Sequence, residues 1–329
     1  MENFYLMDLT NAVDGSFIIG NPHLPIRDIG IDTRTIKEGS LFFAIKGKSL
    51  DGHNYIRDAI EKKVSAIVYS RDDIDFENMF PTIPSLVKVK DTSLALEKLA
   101  KAYRKRFNLL NSIAITGSNG KTTTKEMLAS ILRQKGKTLS NKGNFNNRIG
   151  VPLTVFNLTS DTEYAIFEIG TSEFGEIKVL TDITAPHCGI ITNIGNSHLE
   201  FFKTPENVLR EKRTLIDGID NDGFIALNND NPYLKSIIPQ VTKKVITFGL
   251  YNGADVYAKN IKLWLDKPEF DMYIDGKKET ISLPIKGKFN IFNALGAAAV
   301  AYGLGFSFEE IKEGLATCTP PKMRMQTYT

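Results

Sequence analysis

The sequence predicts an α/β protein, with a small amino-terminal α/β domain and a larger central domain whose mostly parallel sheet carries helices on both faces. Short, continuous apolar runs recur along the chain, as in strands that are buried on both faces. Helical patterns separate these runs, which favours strand–helix–strand units. At Ser112–Thr124 a strand also passes through a glycine turn into a helix, which is the arrangement of a phosphate-binding loop, or P-loop.

Length and composition limit the possible classes of protein. The chain has 329 residues, enough for two domains. Its 41 basic and 38 acidic residues nearly balance and form no basic block, so we expect no nucleic-acid partner. Cys188 and Cys318 are the only cysteines and lie far apart in the sequence, which suits a reducing compartment. Because the sequence has neither a secretion signal nor a run of about eighteen apolar residues, we expect a cytoplasmic protein without membrane contact.

The first part of the chain has the pattern of a small α/β unit. Apolar runs at Leu41–Ile45 and Ala66–Tyr69 predict strands, and the segment between them, around Tyr55–Lys62, is helical in pattern. A further helix is expected at about Ser93–Arg106. We therefore predict an amino-terminal domain at residues 1–109 and a central domain at residues 110–319.

The phosphate-binding loop is predicted from the chemistry of its residues. Glycines let the N–H groups around Gly117 to Lys121 turn toward an anion, and the Lys121 ammonium and the following helix add positive potential. The hydroxyl of Thr122 would then bind Mg²⁺. The short motif G-x-x-G-K-T is intact, although Ile115 replaces the first glycine of the longer motif, and an ordinary glycine turn is the alternative. The helix after the loop has one apolar face, formed by Met127, Leu128, Ile131 and Leu132.

The rest of the central domain is predicted in the same way. Four apolar runs indicate buried strands, at Tyr164–Glu168, Gly189–Thr192, Phe224–Asn228 and Lys244–Phe248. Residues from about 254 to 284 alternate apolar and polar side chains, and Asp275-Gly276 is a hairpin signal, so an antiparallel part of the sheet is expected. A helix at about Asn290–Leu304 follows and ends at Gly305.

Polar residues at the ends of strands are the first candidates for chemistry, because ligands of open α/β sheets collect at the carboxyl ends of the strands. Glu168 ends one strand and His198 follows the next, so both could reach the metal and phosphates held by Lys121 and Thr122. The stretch Asn144–Pro152 concentrates side-chain amides, which fits either a capped turn or a polar substrate site. Nothing in its immediate sequence distinguishes Lys212 from a solvent-exposed helix lysine.

Four stretches of the chain together resemble one known family. They are Thr116–Glu126 (TGSNGKTTTKE), Asn144–Thr154 (NFNNRIGVPLT), Glu168–Gly170 with Gly175–Ile177 (EIG and GEI), and Ile191–Gly195 with His198–Glu200 (ITNIG and HLE). In combination they closely resemble the Mur ligases. The likeness also includes Asp32–Arg34 (DTR) in the amino-terminal part and Lys288–Leu295 (KFNIFNAL) in the central part. It therefore runs over nearly the whole chain.

The resemblance implies a role for each of the matching residues. Loop residues Gly117, Ser118, Asn119, Gly120, Lys121, Thr122 and Thr123 would hold the phosphates of ATP, and Asn290 and Asn293 would approach its adenine. Thr122 and Glu168 would bind one Mg²⁺ and His198 a second. Lys212 matches the lysine that the family carbamylates, which makes it a metal ligand, so Lys121, Lys212 and His198 are the expected catalytic residues. Thr33, Arg34, Asn144 and Asn147 would face the UDP-linked substrate.

The resemblance also implies an activity. The pattern is most similar to the family members that use ATP to add D-alanyl-D-alanine to UDP-N-acetylmuramoyl-tripeptide, a step in peptidoglycan precursor synthesis, and we expect a monomer. A sister ligase that adds the third residue, a folylpolyglutamate-type enzyme and an inactive substrate-binding fragment remain alternatives. Since family members continue into a third domain, residues 320–329 are expected to be the start of a domain that this sequence lacks.

Overall fold

The apolar runs of the amino-terminal part form a five-stranded sheet. In the computed structural model, which describes residues 1–2, 4–47, 49–79, 82–107, 111–265 and 267–319, the strand order is β1-β5-β4-β3-β2. Only β1 is antiparallel to its neighbour. The elements are α1 (Leu6–Ala12), β1 (Ser16–Ile19), β2 (Ile29–Gly30), β3 (Leu41–Phe43), α2 (Ile56–Glu61), β4 (Ala66–Tyr69), α3 (Phe76–Met79), β5 (Ser85–Lys88) and α4 (Thr92–Arg104).

A nine-stranded sheet forms the central part of the chain, in the order β14-β13-β12-β11-β10-β9-β6-β8-β7. Its strands are β6 (Asn111–Thr116), β7 (Thr138–Ser140), β8 (Tyr164–Glu168), β9 (Cys188–Ile191), β10 (Phe224–Asn228), β11 (Lys244–Gly249), β12 (Val256–Trp264), β13 (Lys267–Ile274) and β14 (Lys277–Ser282). Strands β7 to β12 pair in parallel, whereas β12, β13 and β14 are antiparallel. The predicted α/β fold with its mostly parallel central sheet is thus confirmed.

The described residues after β6 contain eight helices. They are α5 (Lys121–Leu132), α6 (Gly150–Val155), α7 (Glu176–Thr184), α8 (Leu199–Phe202), α9 (Pro205–Asp217), α10 (Pro232–Ile237), α11 (Asn290–Gly303) and α12 (Phe308–Ala316). Two short 3₁₀ helices occur in the chain, at Gly52–Tyr55 and Ile238–Gln240. None of the helices in the described ranges combines the length and the apolar character that crossing a bilayer requires.

Burial explains why α5 lies where it does. Its apolar face at Met127, Leu128, Ile131 and Leu132 is fully buried and shares one hydrophobic core with Ile113 and Ile115 of β6. That core also takes in most of α11, a helix of alanines and aliphatic residues. A helix whose apolar face is anchored in this way holds its first turn at a fixed place beside the end of β6.

The chain divides into two compact units. One comprises Met1–Asn108 together with Pro152–Ser160, and the other comprises Leu109–Val151 together with Asp161–Thr329. The segment Pro152–Ser160 contributes to the first unit, where the carbonyl of Leu158 accepts a hydrogen bond from the Tyr103 hydroxyl at 3.0 Å. The predicted start of a third domain, at residues 320–329, lies outside the residues that the structure describes.

Candidate functional site

The predicted phosphate loop connects β6 to α5. Gly117 follows the strand with φ of 149°, and Gly120 precedes the helix in the left-handed region with φ of 81°. A Cβ atom built on Gly117 would lie 1.9 Å from Oγ1 of Thr192, and one on Gly120 would lie 2.2 Å from Oδ1 of Asn293. Both glycines are therefore required by close approach as well as by backbone conformation.

A second loop, residues 192–197, follows β9 and is hydrogen-bonded to the phosphate loop. The N–H of Ser118 donates to the carbonyl of Asn193 at 3.0 Å, and the N–H of Asn119 donates to its side-chain Oδ1 at 2.9 Å. The Ser118 hydroxyl accepts from the Gly195 N–H at 2.9 Å and from the Ser197 hydroxyl at 2.9 Å. The two loops thus form one hydrogen-bonded assembly at the carboxyl edge of the sheet.

These bonds change which N–H groups can hold an anion. The sequence predicted that N–H groups from Gly117 to Lys121 face a phosphate, but those of Ser118 and Asn119 already donate to Asn193. The N–H groups of the first turn of α5 remain available as donors, because a helix start offers N–H groups without intrahelical acceptors. The Lys121 ammonium lies against the same loop and donates to the carbonyl of Gly117 at 2.8 Å.

His198 lies next to this assembly in sequence and in space. It follows Ser197, which contacts the phosphate loop, and it precedes α8 with φ of 52°. Its imidazole is exposed. An exposed imidazole one residue from the loop contact is accessible to a ligand.

Glu168 ends β8, the strand beside β6. It pairs in register with Ile115, and the carbonyl of Ile115 accepts a hydrogen bond from the N–H of Ile169 at 2.9 Å. The residue is only 1% exposed. Oε1 accepts from Nδ2 of Asn146 at 2.8 Å, while Oε2 is buried and accepts no hydrogen bond from any described residue.

The lack of a hydrogen-bond donor at Oε2 bears on the predicted magnesium site. A buried acceptor without a donor is costly, unless a cation or another ligand compensates it. Carboxylate oxygens are also the ligands that Mg²⁺ prefers. Oε2 has the Lys125 ammonium at 3.9 Å but no hydrogen-bond donor among the described residues, so it can serve as a ligand of a divalent cation.

Lys212 lies on α9 and is 2% exposed. Burial, followed by the positive charge of Lys121, lowers its pKa to about 7, and the neighbouring Glu211 carboxylate opposes this shift. The influence of Lys121 links Lys212 electrostatically to the phosphate loop. Near neutral pH a large share of the Lys212 side chains is a neutral amine, which is the reactive form.

Asn290 and Asn293 begin α11 and face the phosphate loop. Asn293 donates from Nδ2 to Oδ1 of Asn290 at 2.8 Å, and its own Oδ1 accepts from the Thr124 hydroxyl at 3.4 Å. A cavity of about 790 Å³ opens beside them. The two asparagines share its wall with loop residues Asn119, Gly120 and Thr123, with Thr192, Asn193, Asn228, Asp230 and Asn231, and with Ile285, Phe289 and Phe292. Its size and its mixture of apolar and amide groups suit a nucleoside.

The four predicted substrate residues fall in two places. Asn144 and Asn147 lie in an exposed loop before α6, where Oδ1 of Asn147 accepts from the N–H of Gly150 at 2.8 Å and so caps the helix. Thr33 is buried in the first unit, whereas Arg34 is exposed and its guanidinium forms a two-armed pair with Asp32. This pair lowers the pKa of Asp32 to about 2.

Four residues of the site were not predicted from the sequence. Lys125 is fully buried near Glu168, Asn146 contacts its carboxylate, and Asn193 joins the two loops. The Glu211 carboxylate accepts from the N–H groups of Gly175 and Ile177, at 2.8 and 2.9 Å, and so binds the start of α7. Lys125 could have been predicted as a site residue, because it lies one helical turn after Lys121 and hence on the same face of α5.

Two protein-family models match the chain, one in its amino-terminal part and one in its central part. The Mur ligase middle domain matches residues 115–301, and the Mur ligase family catalytic domain matches residues 25–106. The UDP-N-acetylmuramoyl-tripeptide–D-alanyl-D-alanine ligase of Haemophilus influenzae is 35% identical over 94% of this chain. The chain spans about two thirds of the length of the curated relatives it matches, 66% in that case.

Two solved structures have the same fold. A structure of MurF from Acinetobacter baumannii is 31% identical, with a TM-score of 0.91, and the match covers 99% of this chain and 70% of that one. A MurF ligase from Thermotoga maritima in complex with ADP is 27% identical, with a TM-score of 0.79, and the match covers 88% of this chain and 66% of that one. The resemblance seen in the sequence motifs is confirmed by these likenesses.

Proposed function

The chain belongs to the Mur ligase family, and from this premise we propose that it serves an ATP-dependent ligase that joins D-alanyl-D-alanine to UDP-N-acetylmuramoyl-tripeptide. The observation that carries the proposal is the pair of hydrogen-bonded loops after β6 and β9, with an oxygen of Glu168 that accepts no hydrogen bond from the described residues at the end of β8. The relatives that bear this activity in their names support the choice of substrates.

ATP would bind across the carboxyl edge of the central sheet. Lys121 and the first turn of α5, with Thr122 and Thr123, would hold the phosphates, since an ammonium and a helix start both favour negative charge. Asn290 and Asn293 would contact the base in the cavity beside the loop. The ADP complex of the similar Thermotoga protein supports nucleotide binding.

Two metal ions would be held by groups of different kinds. Thr122 offers a hydroxyl and Glu168 a carboxylate oxygen to one Mg²⁺, and His198 offers an imidazole nitrogen to a second. The neutral amine of Lys212 can add to CO₂ with loss of a proton, and the resulting carbamate is a carboxylate-like ligand. Mg²⁺, when bound, would offset negative charge on the transferring phosphoryl group.

The reaction would proceed in two steps. A carboxylate oxygen of the tripeptide attacks the γ-phosphorus of ATP, so that a new P–O bond forms, the bond to the β-phosphate oxygen breaks and ADP leaves. The amine of D-alanyl-D-alanine then attacks the acyl carbon, a tetrahedral intermediate forms, and phosphate leaves as the amine loses its proton. Lys121 contributes by position and charge, and no covalent bond to the protein is needed.

The two parts of the chain would bind different ligands. Residues 1–109 would bind the UDP-muramoyl substrate with Thr33 and Arg34, and residues 110–319 would bind ATP and contribute Asn144 and Asn147 to the substrate site. We also propose that the protein is a cytoplasmic monomer that binds neither nucleic acid nor membrane. Light scattering of the purified chain tests its oligomeric state.

Phosphate release tests the proposed activity. With ATP, Mg²⁺ and UDP-N-acetylmuramoyl-tripeptide present, we expect release that depends on added D-alanyl-D-alanine and is not replaced by a diamino acid or glutamate. Dependence on a different amine would favour a sister ligase or a folylpolyglutamate-type enzyme. Binding of both substrates in calorimetry without any phosphate release would favour a substrate-binding fragment.

A further inference from the structure

Asn146 is bonded to Glu168 and to the chain beside it. Its Nδ2 donates to Oε1 of Glu168 at 2.8 Å, and its carbonyl accepts from the N–H of Gly170 at 2.7 Å. A Cβ built on Gly170 would lie 3.1 Å from the Asn146 amide carbon, so the amide packs directly on the backbone after β8. The asparagine is therefore fixed relative to the carboxylate by its main chain as well as its side chain.

The other side of Glu168 is held by Lys125 and Asn141. Asn141 is 2% exposed, and its side chain accepts from the N–H of Glu168 at 2.6 Å and donates to the Glu168 carbonyl at 3.2 Å. The buried Lys125 ammonium donates to the Asn141 carbonyl at 2.6 Å and lies 3.9 Å from Oε2 of Glu168. Since Lys125 belongs to α5, the network links the glutamate to the helix that begins at the phosphate loop.

The two oxygens of Glu168 are thus unequal. Oε1 has a hydrogen-bond donor, whereas Oε2 has only the charge of Lys125 nearby and no donor at hydrogen-bond distance among the described residues. A carboxylate that gives one oxygen to a fixed amide presents the other in a defined direction. Such outer partners of metal ligands typically change metal affinity by about 10- to 100-fold when they are removed.

We propose that Asn146 is a positioning residue for the metal that accompanies ATP, because its amide occupies one oxygen of Glu168 and directs the other toward the cation. This inference rests on the proposed function, in which Glu168 is a metal ligand. It assigns Asn146 a role different from that of Asn144 and Asn147, which the sequence grouped with the substrate. Lys125 lies on the side of Oε2, where its ammonium also pairs with the Glu126 carboxylate at 3.1 Å.

Calorimetric titration of ADP into the full chain, once with Mg²⁺ and once with EDTA, tests this role. The quantity of interest is the ratio of the two dissociation constants, which measures how much the metal strengthens nucleotide binding. For Asn146→Ala we expect this ratio to fall by about tenfold, while ADP affinity in EDTA stays at the wild-type value. Asn157→Ala is the matched control, since Asn157 is exposed and its side-chain amide donates to the helix carbonyl of Leu153 at 2.7 Å, and it should leave the ratio unchanged.

Glu168→Ala distinguishes a failure of the proposed metal ligand Glu168 from a failure of the proposed role of Asn146. If this variant keeps the wild-type ratio, Glu168 does not bind the metal and the proposed function fails at that point. If Glu168→Ala loses the metal effect but Asn146→Ala keeps it, the role of Asn146 is refuted while that of Glu168 stands. Loss of ADP binding in EDTA by Asn146→Ala would likewise contradict a positioning role, since it would indicate a general disruption of the loop.

Discussion

At the scale of single residues, burial gives Lys212 its unusual chemistry. The side chain is nearly inaccessible and lies within the influence of Lys121, so its pKa falls from the ordinary 10.5 to about 7. A surface lysine stays protonated near neutral pH and cannot react with CO₂. The burial of the residue on α9, which the local sequence did not reveal, makes the carbamate that the family resemblance implies chemically accessible.

The lowered pKa predicts how stability depends on pH. Between about pH 7 and pH 10.5 the unfolded chain carries a proton on Lys212 that the folded chain lacks. The unfolded state binds more protons in this window, so the free energy of unfolding contributed by this residue rises with pH. Lys212→Met, which stays neutral, should therefore be more stable than the wild type at pH 7, by a margin that shrinks toward pH 10.

Urea unfolding of both proteins in CO₂-depleted buffer measures this margin. The comparison cancels the titration of all other groups, because both proteins share them. A stability difference that stays constant from pH 7 to pH 10 would show that the Lys212 amine is not perturbed.

The sequence predicted the site residues that lie in a motif or beside a recognisable strand. Residues that only the folded structure brings together were not predicted. Lys121 and Glu168 were predicted because Lys121 follows a recognisable strand and loop, and Glu168 ends a recognisable strand. Asn146 lies 22 residues before Glu168, and Lys125 lies 16 residues before Asn141. Such pairs meet only through the neighbouring positions of β6, β7 and β8 in the sheet, and their register is not readable from one sequence.

At the scale of secondary structure elements, the strongest constraint lies where β6 turns into α5. Gly117 has a backbone conformation that L-residues rarely adopt, and Oγ1 of Thr192 occupies the space that a Cβ would need. The same hydroxyl donates to the carbonyl of Asn119 at 2.6 Å. Any side chain at Gly117 must push apart the two loops that form the proposed phosphate site.

We expect Gly117→Ala to weaken ADP binding at least about tenfold and to lower stability by about 1–3 kcal/mol, the usual cost of forcing a group into a packed site. Gly276→Ala is the matched control, because Gly276 also has a positive φ, of 73°, but a Cβ there meets nothing within 4 Å. Calorimetry and thermal melting compare the two variants. Wild-type ADP affinity in Gly117→Ala would mean that this loop does not bind the phosphates.

The elements that the sequence predicted are those with strong patterns. The apolar strands Tyr164–Glu168 and Phe224–Asn228 have the predicted ends, and Asp275 and Gly276 form the expected hairpin turn with φ of 49° and 73°. The strand β7 was missed because it has three half-buried residues, Thr138–Ser140, at the edge of the sheet, where no apolar run is required. The short strand β1 is exposed along most of its length and was missed for the same reason.

At the scale of the whole molecule, the proposed roles are divided between two compact units. Arg34 belongs to the first unit and is proposed to contact the UDP-linked substrate, whereas Lys121 belongs to the second and is proposed to contact ATP. The ion pair between Asp32 and Arg34 holds the exposed Arg34 guanidinium in one direction. Substitutions in the two units should then affect different ligands.

Arg34→Ala is expected to weaken binding of UDP-N-acetylmuramoyl-tripeptide by about tenfold and to leave ADP affinity unchanged, since a hydrogen bond to a charged group contributes about 1.5–3 kcal/mol. Arg27→Ala removes an exposed arginine from the same unit and should alter neither ligand's affinity. Titration of each ligand separately measures both effects. Equal losses for the two ligands would contradict the division of roles.

The most direct measurement for the whole account is titration of Mg·ADP into the wild-type chain and into Lys121→Ala, with the exposed Lys235→Ala as control. If the turn between β6 and α5 holds the phosphates, the loss of the ammonium should weaken binding by about 10- to 100-fold, while Lys235→Ala binds as the wild type does. Equal affinity in all three proteins would contradict the assignment of this loop to the nucleotide.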